Sequence, residues 1–139
     1  MIRIAVMDWN SARAAASPVR MRVFVEEQRV PAEIELDEHD TASIHALAYD
    51  AQGAAIATGR LLPDGHIGRM AVLKEWRGKG VGSGILARLI DCARERGDRA
   101  VQLSAQTHAL AFYRRHGFVE EGEVYLEAGI KHQQMRLPL

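Results

Sequence analysis

A glycine-rich run between an apolar strand and an amphipathic helix is the feature of this chain that most limits its possible folds. The run occupies residues 77–84 and reads Arg-Gly-Lys-Gly-Val-Gly-Ser-Gly. Glycines let the backbone turn sharply and approach a ligand with no Cβ in the way. A helix that begins directly afterwards presents free N–H groups and the positive end of its dipole, to which Arg77 and Lys79 add charge. The segment therefore predicts a strand–loop–helix unit that cradles an anion such as a pyrophosphate.

Hydrophobic spacing and turn residues predict the remaining elements. One helix should begin at Ser17-Pro18, the helix after the glycine run should end at Gly97, and a later helix should run from a Thr107 cap to Gly117. Strands are expected over residues 2–7, 43–49, 54–62, 66–73, 100–105, 123–127 and 131–137. This order predicts a single α/β (α+β) domain over residues 1–139, with a mixed, mostly antiparallel sheet of about six to seven strands and helices on both faces.

Composition excludes several classes of function. The 139 residues include 18 basic and 18 acidic side chains, so the balanced charge gives no case for a nucleic-acid or anionic-membrane partner. No apolar run approaches the roughly 20 residues of a membrane span, and the first residues lack the layout of a signal peptide. Cys92 is the only cysteine, which favours a cytoplasmic protein without disulfides. The six histidines have no metal-ligand spacing, so no metal is expected.

The spacing of the glycines distinguishes between known phosphate-binding loops. A Rossmann G-x-G-x-x-G pattern would need glycine where the chain has Ser83 or Ile85. A Walker A loop needs serine or threonine directly after the lysine, but Gly80 follows Lys79. The pattern that fits is R-x-x-G-x-G over residues 77–82, after a strand and at the start of a helix.

This pattern resembles the acyl-CoA-binding motif of the GCN5-related N-acetyltransferase (GNAT) superfamily. The predicted order of elements is similar to that superfamily over essentially the whole chain. Residues 112–118, Phe-Tyr-Arg-Arg-His-Gly-Phe, resemble its F-Y-x-x-x-G-F segment, and residues 23–28, 103–106 and 129–135 look more specifically like the bacterial ElaA/YjcF-type branch. The resemblance implies a single-domain N-acetyltransferase that moves an acetyl group from acetyl-CoA to a primary amine, by direct attack in a ternary complex without an acyl-enzyme.

The resemblance also assigns coenzyme binding to particular residues. Backbone groups of the strand before the run would pair with the pantetheine arm, and the donor at Met70 would polarise the acetyl carbonyl. Amides of the run would wrap the pyrophosphate, and Phe112 would pack on the pantetheine end. Gln106 stands where relatives often have asparagine. The residues expected to bind acetyl-CoA are Met70, Ala71, Val72, Arg77, Gly78, Lys79, Gly80, Val81, Gly82, Ser83, Gln106 and Phe112.

Tyr113 is the expected general acid. The departing CoA thiolate needs a proton or a strong hydrogen bond, and a phenol with an ordinary pKa near 10 can supply it. The base that takes the proton of the amine is open. His66 lies eleven residues before Arg77, as the base does in several relatives, and its imidazole titrates in the right range. Glu27 and its neighbour Glu26 compete with His66, and a dedicated base can also be absent.

The acceptor is an amine, expected to be a small molecule, whose identity the sequence leaves open. Residues 28–40 are predicted to form a loop, and its acids either attract a cationic amine or are simply solvated. A non-catalytic acyl-CoA-binding or sensor module on the same scaffold is the alternative to an enzyme, although such a module has no need of Tyr113. Dimers are common in the family, so a homodimer stays open.

Overall fold

Seven strands form two antiparallel sheets in the computed structural model, which describes residues 1–35 and 37–139, with the backbone alone at residues 33 and 34. The strands are β1 (Arg3–Met7), β2 (Ile44–Tyr49), β3 (Ala55–Leu61), β4 (Ile67–Val72), β5 (Ala100–Gln106), β6 (Val119–Glu127) and β7 (Ile130–Pro138). The first sheet has the order β1-β2-β3-β4 and the second the order β5-β7-β6. Each strand predicted from the sequence is present, which confirms the α+β fold class.

Helices cover both faces of the first sheet. In β2, Leu47 packs with Ala12 and Ala16, whereas its neighbours Ala46 and Ala48 belong to the larger core on the opposite face. Adjacent side chains of a strand point to opposite faces, so the two cores lie on either side of the sheet. No helix among the described residues is long and apolar enough to cross a membrane. The helices are α1 (Trp9–Arg20), α2 (Ala32–Glu35), α3 (Val81–Arg96) and α4 (Leu110–Arg115).

The predicted start of the first helix at Ser17-Pro18 is wrong. The carboxylate of Asp8 accepts a hydrogen bond from the Ser11 amide at 2.9 Å, and α1 begins at Trp9, with Pro18 inside it. Proline cannot donate to the preceding turn. The chain continues directly from α1 into a π-helix over Met21–Glu27, where the Gln28 amide donates to the carbonyl of Val23 at 3.0 Å.

Two smaller predictions also differ from the structure. The predicted loop over residues 28–40 contains α2, and a short 3₁₀ turn follows at Asp40–Ala42. Thr107 does not cap a helix with its side chain. It begins a 3₁₀ turn over Thr107–Ala109 that leads into α4.

Among the described residues, the backbones of the two sheets pair at one point. One parallel bridge pairs His66 with Gln102, and the Gln102 amide donates to the carbonyl of Gly65 at 3.0 Å. Beyond this bridge β4 and β5 are edge strands of separate sheets that face each other. The predicted mixed sheet is therefore divided at this seam. We call the space between the two strands the cleft.

Candidate active site

The cleft has a volume of about 1260 Å³. Ligand pockets typically have about 300–1000 Å³, so the cleft is large enough for a long ligand together with a second molecule. It is lined by parts of the π-helix, β4, the glycine run, β5, α4 and the β6–β7 hairpin. All of the residues predicted as catalytic or coenzyme-binding line it except Ala71, whose side chain is buried in the core, and Lys79.

The glycine run forms an open turn before α3. Gly78 and Gly80 have φ angles of +75° and +81°, which favour glycine, and a Cβ added at either would meet nothing within 4 Å. Val81 begins the 16-residue helix α3, and none of the side chains that the structure describes caps its N-terminus. The first amides of a helix lack partners within it. The turn therefore combines an accessible backbone with the positive end of a helix, as an anion site requires.

The two cations of the run do not point into this turn. The Arg77 guanidinium donates to both carboxylate oxygens of Glu27, at 2.5 and 2.8 Å, and its Nε donates to the carbonyl of Val72 at 3.0 Å. The Lys79 ammonium lies 5.9 Å from the centre of the Trp76 ring. Arg77 thus fastens the end of the π-helix to β4, which the sequence did not indicate.

A bulge interrupts β4 beside the cleft. Thr58 of β3 pairs with Ala71 and Arg60 pairs with Gly68, so β4 contains one extra residue between them. Arg69 within this segment has a φ of +48°, which is unusual for a residue with a side chain. Met70 follows it and lines the cleft. The bulge removes Met70 from the regular ladder, which leaves its backbone available to a ligand.

The lack of a side chain at Gly59 lets the bulge pack against the core. A Cβ at Gly59 would lie 2.7 Å from Sδ of Met70 and 2.9 Å from Cγ2 of Ile85 in α3. The Met70 side chain therefore occupies the space that a larger residue in β3 would fill. Its backbone is held at the cleft by this packing.

Aromatic rings form the wall of the cleft opposite β4. Phe112 and Tyr113 meet edge to face with their centroids 5.0 Å apart, and Tyr113 lies 5.9 Å from Phe118. A Cβ added at Gly82 would lie 3.6 Å from Phe112, so α4 packs directly on the start of α3. Burial raises the pKa of Tyr113 to about 12, and the phenol is therefore protonated throughout the neutral range.

Of the three predicted base candidates, His66 and Glu27 line the cleft and differ in surroundings, whereas Glu26 does not line it. His66 lies at the seam with its side chain 41% exposed, and its Nδ1 is 2.9 Å from a carboxylate oxygen of Asp64. Hydrogen bonds from Arg77 lower the pKa of Glu27. A carboxylate held in such a pair is a weaker proton acceptor than a free one.

A buried network of ion pairs occupies the end of the cleft beside α2, and sequence reasoning missed it. Arg20 pairs with Glu35 and with Asp40, the latter at 2.8 Å. Arg60 donates to Asp37 at 2.7 Å and to Asp40 at 2.9 Å, and Arg69 donates to Asp37 at 3.1 Å. The acids at residues 35, 37 and 40 are thus bound by arginines and are not a solvated loop. Arginines within the apolar patterns of α1 and β3 were the signal that could have revealed this network.

The β6–β7 hairpin closes the same end of the cleft. Gln106, at the end of β5, donates from Nε2 to Oε1 of Gln28 at 2.9 Å and pairs in register with His132 of β7. His132 and Glu127 also line the cleft. The sequence places His132 in the segment that resembles the ElaA/YjcF-type branch and leaves open whether it edges the acceptor pocket or faces solvent.

Comparison with known proteins extends these observations. Residues 12–139 match the model of a family described as an acetyltransferase (GNAT) domain. The uncharacterized N-acetyltransferase YjcF of Bacillus subtilis is 42% identical over 120 residues, which cover 84% of this chain and 86% of that protein.

Solved structures agree with the fold. An acyl-CoA N-acyltransferase from Pseudomonas aeruginosa is 34% identical with a TM-score of 0.86, and the match covers 98% of this chain and 99% of that one. Escherichia coli ElaA is 30% identical with a TM-score of 0.86 and the same coverage. These similarities include both sheets and the cleft between them.

Proposed function

Because the chain belongs to the GNAT acetyltransferase family, we propose that it transfers an acetyl group from acetyl-CoA to a small-molecule primary amine. One observation carries this proposal: an open anion turn, a bulged strand edge and a protonated tyrosine line a single continuous cleft. A thioester of coenzyme A has an anionic end that matches the turn and an extended arm that matches the strand edge. The tyrosine can donate a proton to the leaving thiolate.

The donor would be held mainly by backbone groups. Amides of Gly78, Gly80, Val81, Gly82 and Ser83 would surround the pyrophosphate, and the free edge of β4 at residues 70–72 would pair with the pantetheine arm. Phe112 would cover the end of this arm. In the proposed complex Arg77 stabilises the turn through Glu27 and Val72 and contributes its charge at longer range.

The chemical step follows from the groups around the thioester. The amine nitrogen attacks the carbonyl carbon, and the Met70 amide donates to the oxygen as it becomes negative. When the carbon–sulfur bond breaks, Tyr113 donates its proton to the thiolate. The pKa of about 12 keeps this proton on the phenol until charge develops on sulfur. The acceptor enters from the end of the cleft near Gln28 and the β6–β7 hairpin, so that the glycine turn remains free to bind the pyrophosphate of the donor.

Turnover with a panel of amines tests the proposal. Release of CoA from acetyl-CoA is measured with spermidine, tyramine, glucosamine, kanamycin and a short peptide with a free N-terminus. Tyr113→Phe should lower kcat by about 100-fold, since general acid catalysis contributes about 10²–10⁴-fold. Its affinity for acetyl-CoA should change little.

Tyr49→Phe is the matched control, because Tyr49 lies in β2 outside the cleft lining. Binding of acetyl-CoA without turnover of any amine would favour the sensor module. Full activity of Tyr113→Phe would instead remove Tyr113 from the mechanism while leaving the transferase function in place.

A further inference from the structure

We propose that His132 accepts the proton that the acceptor amine must lose before it attacks. This role rests on the proposed function and identifies a base other than His66, Glu27 and Glu26. His132 is 7% exposed, lines the cleft and belongs to β7 in the hairpin that closes the acceptor end.

Strand register places His132 level with the reacting groups. The parallel bridge pairs His66 with Gln102, and four residues further along each strand come Met70 and Gln106, with the bulge shifting β4 by one residue. Gln106 pairs in turn with His132. Neighbouring strands lie about 4.8 Å apart, so His132 is one strand beyond Gln106 and within one residue of the height of Met70. An amine that approaches a carbonyl held at Met70 would therefore pass this histidine.

The hydrogen bonding of the ring fixes which nitrogen is available. Nδ1 of His132 lies 2.7 Å from the carbonyl oxygen of Ile130. A carbonyl oxygen can only accept, so Nδ1 carries the hydrogen and Nε2 of the neutral ring has a free lone pair. The ring also stacks on Tyr125 at a centroid distance of 6.1 Å. The Tyr125 hydroxyl forms a hydrogen bond with the hydroxyl of Ser104. The imidazole is thus held from both sides with Nε2 unbonded to a donor.

Three ionisable neighbours face this ring from the elements packed against β7. Glu127 and Tyr125 of β6 contact the ring, and His108 of the 3₁₀ turn after β5 lines the same cleft. The nearest charge is the Glu127 carboxylate, 3.6 Å from Nε2, which places a negative group beside the ring when it holds a proton.

The proton transfers balance over one turnover. The acceptor ammonium gives one proton to Nε2 of His132 and becomes a neutral amine, which forms the carbon–nitrogen bond. The carbon–sulfur bond breaks, and the thiolate takes the proton of Tyr113. The second proton lost by nitrogen restores the phenol through water, and His132 releases its proton to solvent.

His66 is less well placed for this transfer. It lies level with Gln102, four residues before Met70, which corresponds to about 13 Å along an extended strand. Its Nδ1 contacts Asp64, and its side chain is 41% exposed at the seam. His66 is thus separated from the height of Met70 along the strand, whereas His132 lies close to that height, one strand beyond β5.

The pH dependence of two matched variants tests this proposal. His132→Asn retains a donor for the Ile130 carbonyl but removes Nε2, and His66→Asn makes the same change at the competing site. The measured quantity is kcat/KM for the amine of the panel with the highest wild-type turnover, at pH 7 and pH 9.5. His132→Asn should lose about 100-fold at pH 7 and much less at pH 9.5, where primary amines with pKa near 10.4 supply more of their neutral form themselves. Because the pKa of Tyr113 is about 12, its phenol stays protonated at both pH values.

The outcomes separate this role from the proposed function. An equal loss by His132→Asn at both pH values, or a pH-dependent loss by His66→Asn in its place, would overturn the assignment to His132. Wild-type protein that turns over no amine of the panel would overturn the proposed function and this role with it. His39→Asn, on the surface, should behave like the wild type, and the Kd of acetyl-CoA should be the same for every variant.

Discussion

Gly80 is the residue on which the backbone of the anion turn most directly depends. Its φ of +81° lies in the left-handed region, where a side chain costs about 1–2 kcal/mol. Gly80→Val should therefore turn the amide of Val81 away from its present direction. We expect a loss of about tenfold or more in acetyl-CoA affinity, measured by titration calorimetry.

Gly53→Val is the control for this change. Gly53 has the same φ of +81° and open space around it, but it lies in the β2–β3 turn far from the cleft lining. It should lower stability by a similar amount and leave the Kd unchanged. Equal Kd values for the two variants would show that the turn does not hold the coenzyme.

Single residues differ in how far the sequence alone predicts their place. Gly80, Phe112 and Tyr113 belong to short contiguous motifs, so their positions in the cleft follow from local patterns. His132 joins the cleft through pairing between β5 and β7, which are separated by α4 and β6 in the chain. Register of that kind depends on tertiary packing, and a local pattern does not contain it.

At the scale of elements, ion pairs attach the segment around α2 to β3 and β4. Burial raises the pKa of Asp37, but the hydrogen bonds and charge of Arg60, with Arg69, outweigh it and lower this pKa from 3.8 to about 2. A carboxylate with a depressed pKa stabilises the fold above its unfolded pKa, and this contribution disappears as the pH falls through the folded value. The contribution of Asp37 is therefore complete above pH 4 and is lost towards pH 2.

Asp37→Asn should remove this contribution. We expect the free energy of unfolding at pH 7 to fall by about 2 kcal/mol, as the linkage relation gives for such a pKa shift, and the loss of stability between pH 4 and pH 2 to become shallower. Urea denaturation at several pH values measures both. Glu38→Gln changes an exposed neighbour and should leave the curve unaltered. An acid response of Asp37→Asn as steep as that of the wild type would contradict the assignment.

The elements themselves were largely predictable. Alternating apolar residues and glycine turns located every strand, because these signals are local. The start of α1 was missed since Ser17-Pro18 has the pattern of a helix start, whereas the actual cap at Asp8 is followed by Trp-Asn-Ser and then by alanines, which show no strong apolar periodicity. Proline was accommodated inside the helix, which a local rule does not anticipate.

At the scale of the whole molecule, the seam leaves two strand edges facing an open cleft. The pantetheine arm would pair with β4 beyond the seam, so acetyl-CoA should slow amide hydrogen exchange over residues 70–72. Exchange in β1 should not change. Adenosine 3′-phosphate 5′-diphosphate, which has the pyrophosphate without the arm, is the control ligand and should protect only the glycine run. Protection of β4 by this control would show that the arm does not bind at the strand edge.

The division of the strands into two sheets could not be predicted from the sequence. The order of strands predicted one mixed sheet of about six to seven strands, but nothing in the sequence fixes how far β4 and β5 separate after their one bridge. That separation results from the packing of α3, α4 and the bulge, in which glycines such as Gly59 determine how closely the layers approach.

Because one bridge joins the backbones of the two sheets, a rotation of one sheet relative to the other would take place about the seam. The site at Met70 lies about 13 Å from it along the strand, so a relative rotation of the sheets by roughly 5° moves the walls by about 1 Å at that height. One ångström is close to the length that one methylene adds to an acyl chain. Substitutions near His66 and Gln102 can therefore adjust which acyl groups fit, with no change to any residue that touches them.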